Sequence, residues 1–131
     1  MEHQRISSGA PWEHTVGYSR AVRAGDHVFV AGTTAVDEAG AVIGEGDPYT
    51  QAVAALRKIE AALAQAGASM RDVVRTRIFV TDMSYSEAVG RAHGEFFSEI
   101  RPAATMVQVV KLIEPSLLVE IEADAVIRRD G

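Results

Sequence analysis

A strict alternation of apolar and acidic residues near the C-terminal end constrains the fold most. Residues 117–126 read LLVEIEADAV, so that Glu120, Glu122 and Asp124 recur at every second position. A period of two residues is typical of a β-strand with one buried face. Three carboxylates on one strand face should repel one another unless that face is solvated, carries arginines or binds a ligand. We therefore predict a strand here and treat its acidic face as a candidate site, with a merely solvated face as the alternative.

The preceding residues 101–112 are predicted to form another strand. Pro102 excludes a helix across the start of this segment, because proline lacks the N–H that a helix interior requires. Several β-branched residues follow it, which favour extended backbone. These two segments are the last two predicted strands of the chain.

The first part of the chain predicts three further strands. Residues 1–15 have no clear period and are expected to be irregular. Residues 16–23 and 27–32 predict a hairpin with a short polar turn between them. Residues 34–42 predict a third strand, interrupted by a turn.

Two helices are indicated by their capping residues. Asp47 followed by Pro48 is a favourable N-terminus for a first helix, and Gly67 provides its C-terminal stop. Ser84, with Glu87 three residues later, predicts a capping box at the start of a second helix.

With a strand at residues 73–81, the element order becomes β-β-β-α-β-α-β-β in a single domain over residues 1–131. The fold class is α/β (α+β), with a mixed sheet. Right-handed crossovers place both helices on one face of that sheet. Several predicted strands, such as residues 27–32, are apolar on both faces. Because two helices cover only one face, we predict a homo-oligomer that buries the other.

The amino-acid composition excludes several classes of function. The chain contains no cysteine and carries a formal net charge of −5, so thiol chemistry is excluded and a nucleic-acid partner is not expected. The four histidines lack the spacing of a metal site, and no phosphate-binding glycine loop precedes a lysine. We predict no metal, no cofactor and no membrane segment, and a cytoplasmic location.

A collinear set of motifs extends over nearly the whole chain. The set comprises Gly17-Tyr18, Ala31-Gly32-Thr33, residues 72–76 (DVVRT), residues 78–82 (IFVTD), Phe96-Phe97, Pro102-Ala103 and residues 119–123 (VEIEA). In these residues the sequence resembles the RidA family, also called YjgF or UK114. The resemblance implies a chorismate-mutase-like RidA fold and a homotrimer with small-molecule sites between subunits. It also implies hydrolysis of an enamine or imine to a carbonyl compound and ammonia.

The resemblance also suggests which residues form the site. Glu120 falls on the family's water-positioning glutamate and Tyr18 on its pocket tyrosine. Thr33, Met106 and Gly90 are further expected substrate-binding positions, with Met106 where cysteine is common and Gly90 where asparagine is common.

Ala104 stands where the deaminating members carry a substrate-binding arginine. A buried arginine–carboxylate contact contributes roughly 1.5–3 kcal/mol, so its loss should weaken binding of a 2-imino acid by about one to two orders of magnitude. We therefore expect a substrate other than a standard 2-imino acid.

Arg77 raises the question of a replacement for that arginine. Alternation along residues 73–80 places Arg75, Arg77 and Phe79 on the face opposite Val74, Thr76, Ile78 and Val80. Arg77 should therefore lie on the same sheet face as Glu120. It would either bind a substrate anion or pair with the acidic residues of that face.

Three functions remain open at this point. The first is enamine or imine hydrolysis through Glu120, on a small molecule without the usual carboxylate. The second is a catalytically silent ligand-binding or interaction protein on the same trimeric scaffold. Ribonuclease activity ranks last, because the chain is acidic and shows no histidine pair.

Overall fold

A computed structural model describes residues 2–129, which form one six-stranded mixed sheet and two long helices. The strands are β1 (His3–Ile6), β2 (Ala21–Ala24), β3 (His27–Thr33), β4 (Val73–Val80), β5 (Ala103–Gln108) and β6 (Val119–Val126), and the helices are α1 (Pro48–Gln65) and α2 (Ser86–Phe97). The strand order is β1-β2-β3-β6-β4-β5, in which only the β4–β5 pair is parallel. The predicted α+β class and element order are confirmed.

The three strands before α1 are not the three that the sequence predicted. Residues 34–42 do not join the sheet and form only an isolated bridge between Val36 and Val42. Asp37 folds this segment back on itself, because its carboxylate accepts hydrogen bonds from the backbone N–H groups of Ala39 and Ala41. The third strand is instead β1, in residues predicted to be irregular, where it pairs with β2 and buries only Ile6.

The predicted hairpin is confirmed, but its first strand begins later than expected. Residues Glu13–Gly17 form a π-helical turn, and β2 starts only at Ala21. Gly17 has a positive φ of 90°, a conformation that favours glycine and turns the chain towards Tyr18. The hairpin therefore begins after a compact turn rather than with a long strand.

The N-terminus of α1 matches its prediction. The Asp47 carboxylate accepts a hydrogen bond from Thr50 N at 3.2 Å, and Pro48 is the first helical residue. The capping box predicted at Ser84 is wrong. Asp82 accepts from Ser84 N at 2.9 Å and caps a short 3-10 turn, Met83–Tyr85, after which α2 begins at Ser86.

The core lies between the helices and one face of the sheet. Strand β6 alternates as predicted, and its apolar residues Val119, Ile121, Ala123 and Ala125 are buried in the core. In β4 a bulge changes the predicted pattern: Val73 is buried, whereas Val74 is 48% exposed. The rest of β4 alternates as expected.

We call the opposite side of the sheet the open face. It carries the three carboxylates of β6, together with Arg77 and Phe79 of β4, Phe29 of β3 and Val107 of β5. Phe29 and Val107 are 47% and 41% exposed, so this face presents apolar area next to charges. The helices leave it uncovered, as predicted.

Candidate functional site

Glu120 lies on the open face where β6 passes an irregularity in β3. The register between the two strands shifts between Val30 and Thr33, which marks a β-bulge around Gly32. The Glu120 side chain rests directly on that glycine. A Cβ atom at position 32 would lie 3.0 Å from Glu120 Cδ and closer still to Oε2. Only glycine leaves room for this carboxylate.

Three hydrogen bonds hold the bulge. Thr33 Oγ1 donates to Ala31 O at 2.7 Å, and Ala31 N donates to Arg20 O at 3.0 Å. Arg20 Nη2 in turn donates to Gly32 O. The backbone beneath Glu120 is therefore fixed from both sides.

The Glu120 carboxylate is half-buried and accepts no hydrogen bond from residues 2–129. Burial raises the pKa of Glu120, and the neighbouring charge of Glu122 raises it further, while the positive charge of Arg20 opposes the shift. A carboxyl group with a raised pKa takes up a proton more readily than an exposed glutamate. This arrangement suits a group that binds water and transfers protons.

Arg20 lies beside this glutamate and Lys58 lies near Arg20, and sequence reasoning missed both cations. Burial lowers the pKa of Arg20, and the nearby Tyr18, Glu13 and Glu120 partly offset that effect. Lys58 of α1 donates to Thr34 O at 2.8 Å and to Val36 O at 3.0 Å. Its pKa is lowered by burial and by the charge of Arg20.

The available signal for Arg20 was its place two residues after the motif residue Tyr18. Alternation gave no help there, because Arg20 precedes β2 and follows the π-helical turn.

Tyr18 is 38% exposed and lies between two open grooves. One groove, of about 390 Å³, is lined by residues that include Ser7, Pro11 and Glu13. The other, of about 410 Å³, is lined by residues that include Val22 and Phe29 on the open face. Tyr18 therefore borders space large enough for a small organic molecule.

Arg77 lies on the open face, as alternation predicted. Its Nη1 atom is 3.3 Å from Glu122 Oε1 and 3.3 Å from Asp124 Oδ2. The guanidinium thus pairs with the two carboxylates beyond Glu120, which is the pairing alternative considered from the sequence.

The other predicted substrate-binding residues are not brought to Glu120 within one chain. Ala104 and Met106 lie on the edge strand β5, which β4 separates from β6, and Met106 packs against the core. Gly90 is exposed on α2, across the sheet from Glu120. Thr33 is 1% exposed and uses its hydroxyl inside the bulge, so it supports the site without lining it.

Residues 2–129 contain no group of three or more side chains suited to hold a metal ion. His93, for example, is half-buried, and its Nε2 is hydrogen-bonded to Thr76 Oγ1 at 2.9 Å. In the same described part of the chain, no helix is long and apolar enough to cross a membrane.

Comparison with known proteins shows which family this chain resembles. The family model described as Endoribonuclease L-PSP matches residues 9–127. Among solved structures, a YjgF/YER057c/UK114 family member from Mycobacterium tuberculosis is 53% identical, with a TM-score of 0.86, over 96% of this chain and 100% of that one.

Two protein relatives extend the comparison. An uncharacterised protein of Streptomyces coelicolor is 43% identical over 122 residues, which cover 93% of this chain and 90% of the relative. The 3-aminoacrylate deaminase RutC of Acinetobacter baylyi is 36% identical over 108 residues, covering 82% of this chain and 85% of the relative.

Proposed function

Because the chain belongs to the YjgF/YER057c/UK114 family, also called RidA, we propose that it hydrolyses an enamine or imine of a small molecule through Glu120. An enamine first becomes an imine by moving a proton from nitrogen to carbon. Water oxygen then adds to the imine carbon, while a water proton passes to the Glu120 carboxylate. Glu120 returns that proton to nitrogen, which gives a carbinolamine. The hydroxyl proton then passes through Glu120 to the same nitrogen, the C–N bond breaks as the C=O bond forms, and ammonia leaves the carbonyl compound. The imine is already electrophilic, so an oriented water and a proton carrier suffice.

The observation that carries this proposal is the state of Glu120. Its carboxylate is half-buried, has a raised pKa, and is left without a hydrogen-bond donor from residues 2–129. A half-buried carboxylate that the protein does not engage can orient a water molecule and take up a proton from it.

We further propose that the site is completed between copies of the chain in a homotrimer. Glu120 and Tyr18 lie near the β2–β3–β6 part of the open face, whereas Ala104 and Met106 lie on the edge strand β5 and Gly90 lies on α2. One chain cannot join these two groups into a single pocket. A neighbouring copy that presents its β5 edge to Glu120 would do so.

The residue at position 104 guides the choice of substrate. With alanine there, the β5 edge offers no cation to a substrate carboxylate, so 2-aminoacrylate should be a poor substrate. The enamine acid named in the RutC relative, 3-aminoacrylate, carries its carboxylate one carbon further from the reacting carbon. We propose it as the first compound to test.

A catalytically silent binding protein is the second candidate. It is favoured by the pairing of Arg77 with Glu122 and Asp124, because the guanidinium is then not free to replace the substrate-binding arginine that is missing at Ala104.

The deciding experiment measures ammonia released from 3-aminoacrylate and from 2-aminoacrylate, each generated in situ by a coupled enzyme. We expect turnover of 3-aminoacrylate by the unmodified protein, loss of at least two orders of magnitude in Glu120→Gln, and a rate near the uncatalysed one with 2-aminoacrylate. Glu120→Gln keeps the shape of the side chain and removes its proton chemistry. Equal rates for the two proteins on every enamine tested would favour the silent binding protein.

A further inference from the structure

Arg20 is a partly buried cation without an acidic contact. Among residues 2–129, no carboxylate oxygen lies within 4.0 Å of its guanidinium. Nη2 donates to Gly32 O, and Nε is buried without a partner. A guanidinium offers five N–H donors, so most of the donor capacity of Arg20 is unused in this part of the chain.

Other arginines of the chain are in a different state. Arg23, three residues later, donates to Gly25 O and Ala66 O, both at 2.8 Å, and lies 4.0 Å from Asp26. Arg77 has two carboxylate partners. A buried charge is costly unless it is paired, so the unpaired state of Arg20 calls for a ligand.

The acids near Arg20 do not serve as that partner. The Glu13 carboxylate accepts hydrogen bonds from Ser8 N at 3.0 Å and from the Ser8 hydroxyl, which tie it to the loop before the π-helical turn. Glu120 is close enough to interact by charge but forms no ion pair with Arg20. Lys58 adds a second positive charge near Arg20.

We infer that Arg20 binds an anionic group of the substrate, such as a carboxylate, beside Glu120. This inference rests on the proposed function and names a substrate class for it: small enamines or imines whose carboxylate lies one carbon beyond the reacting carbon, as in 3-aminoacrylate. The anion would lie near the β3 bulge rather than at the β5 edge, where Ala104 offers no charge. The fork of the guanidinium matches the two oxygens of a carboxylate.

Binding there would also connect substrate and catalysis. The positive charge of Arg20 opposes the upward shift of the Glu120 pKa. An anion on Arg20 would offset that opposing charge, so the bound substrate would make Glu120 a better proton carrier. Neutral analogues would lack this effect.

The test uses a stable pair of probes of nearly equal shape, acetoacetate and acetoacetamide, which differ in charge. Binding to the full-length protein is followed by amide NMR titration. We expect the unmodified protein to bind acetoacetate at least about tenfold more tightly than acetoacetamide. Arg20→Gln should remove this preference by weakening acetoacetate binding alone. Absence of any preference in the unmodified protein would overturn the inference without recourse to a variant.

Arg23→Gln is the matched control, because Arg23 is also partly buried and donates to backbone carbonyls, but at the opposite end of the hairpin, next to the β2–β3 turn. It should lower the melting temperature while leaving the preference for acetoacetate unchanged. If Arg20→Gln fails to fold, Arg20→Lys keeps the charge and loses the fork, and we expect it to retain a reduced preference. An unchanged preference in a folded Arg20→Gln protein would contradict the inference.

The two proposals fail in different ways. If Glu120→Gln abolishes turnover of 3-aminoacrylate but Arg20→Gln leaves its KM unchanged, the anion site is wrong and the proposed hydrolysis stands. If Arg20 controls acetoacetate binding but Glu120→Gln changes no rate, the anion site stands and the hydrolysis is wrong.

Discussion

At the scale of single residues, Gly32 and Glu120 occupy one space. The carboxylate lies where any other residue at position 32 would place its Cβ atom. We expect Gly32→Ala to displace Glu120 and to lower enamine turnover about as much as Glu120→Gln. Ammonia release and the melting temperature should be measured together. Full activity in a folded Gly32→Ala protein would show that the position of Glu120 does not matter.

Gly94→Ala provides the control for this prediction. Gly94 lies inside α2, and an added Cβ atom would meet nothing within 4 Å. Alanine is favoured over glycine in a helix by about 0.5–1 kcal/mol, so this variant should be slightly more stable and equally active.

Arg77 and Arg20 show which side-chain positions could be predicted from the sequence. The face of Arg77 followed from alternation, because β4 is regular from Arg75 to Val80 and a period of two holds there. Arg20 precedes β2, and its position depends on the bulge at Gly32, for which the sequence gives no period. Long-range contacts of this kind are set by tertiary structure, so the cation beside Glu120 could not be identified beforehand.

At the scale of elements, one contact between α2 and β4 is sensitive to pH. His93 Nε2 is hydrogen-bonded to Thr76 Oγ1, and its ring packs on Phe97 with centroids 4.7 Å apart. Burial lowers the pKa of His93 below its ordinary value of 6.5. The unfolded chain therefore binds the proton more readily than the folded one. The stability contributed by neutral His93 is present above pH 6.5 and is lost as the pH falls below it.

We expect the melting temperature to fall more steeply between pH 7 and pH 5 for the unmodified protein than for His93→Gln. Glutamine can keep a hydrogen bond to Thr76 but cannot be protonated in this range. The exposed His3 of β1 provides the control, and His3→Gln should retain the steep dependence. Parallel curves for the unmodified protein and His93→Gln would contradict this assignment.

Elements were predictable where a local signal and tertiary packing agree. The N-terminus of α1 and the alternation of β6 are examples, since capping and periodicity are properties of neighbouring residues. The sequence predicted a strand at residues 34–42 and irregular structure at β1, and the structure shows the reverse. Strand β1 owes its extended form to pairing with β2 rather than to its own composition. Near the start of α2, Asp82 and Ser84 are both favourable capping residues, but Ser84 lies inside the 3-10 turn Met83–Tyr85 that Asp82 caps.

At the scale of the whole molecule, the open face predicts assembly. It combines exposed apolar residues, such as Phe29 and Val107, with the charges around Arg77, and both helices pack on the other side. We expect sedimentation equilibrium at micromolar concentration to give three times the mass of the chain. A stable monomer would contradict both the argument from the open face and the proposed site between copies.

A charge introduced into the open face should separate the copies. Phe29 is 47% exposed and pairs across the sheet with Asp124, so a lysine there is tolerated in a monomer but would be buried at an interface. We expect Phe29→Lys to remain folded, to sediment as a smaller species, and to lose enamine turnover because the β5 edge of a neighbour no longer completes the site. Ile43→Lys is the matched control, since Ile43 is 38% exposed in the loop before α1. A monomeric Phe29→Lys protein with full turnover would show that a single chain holds the complete site, and it would thereby refute the composite cleft while leaving the role of Glu120 intact.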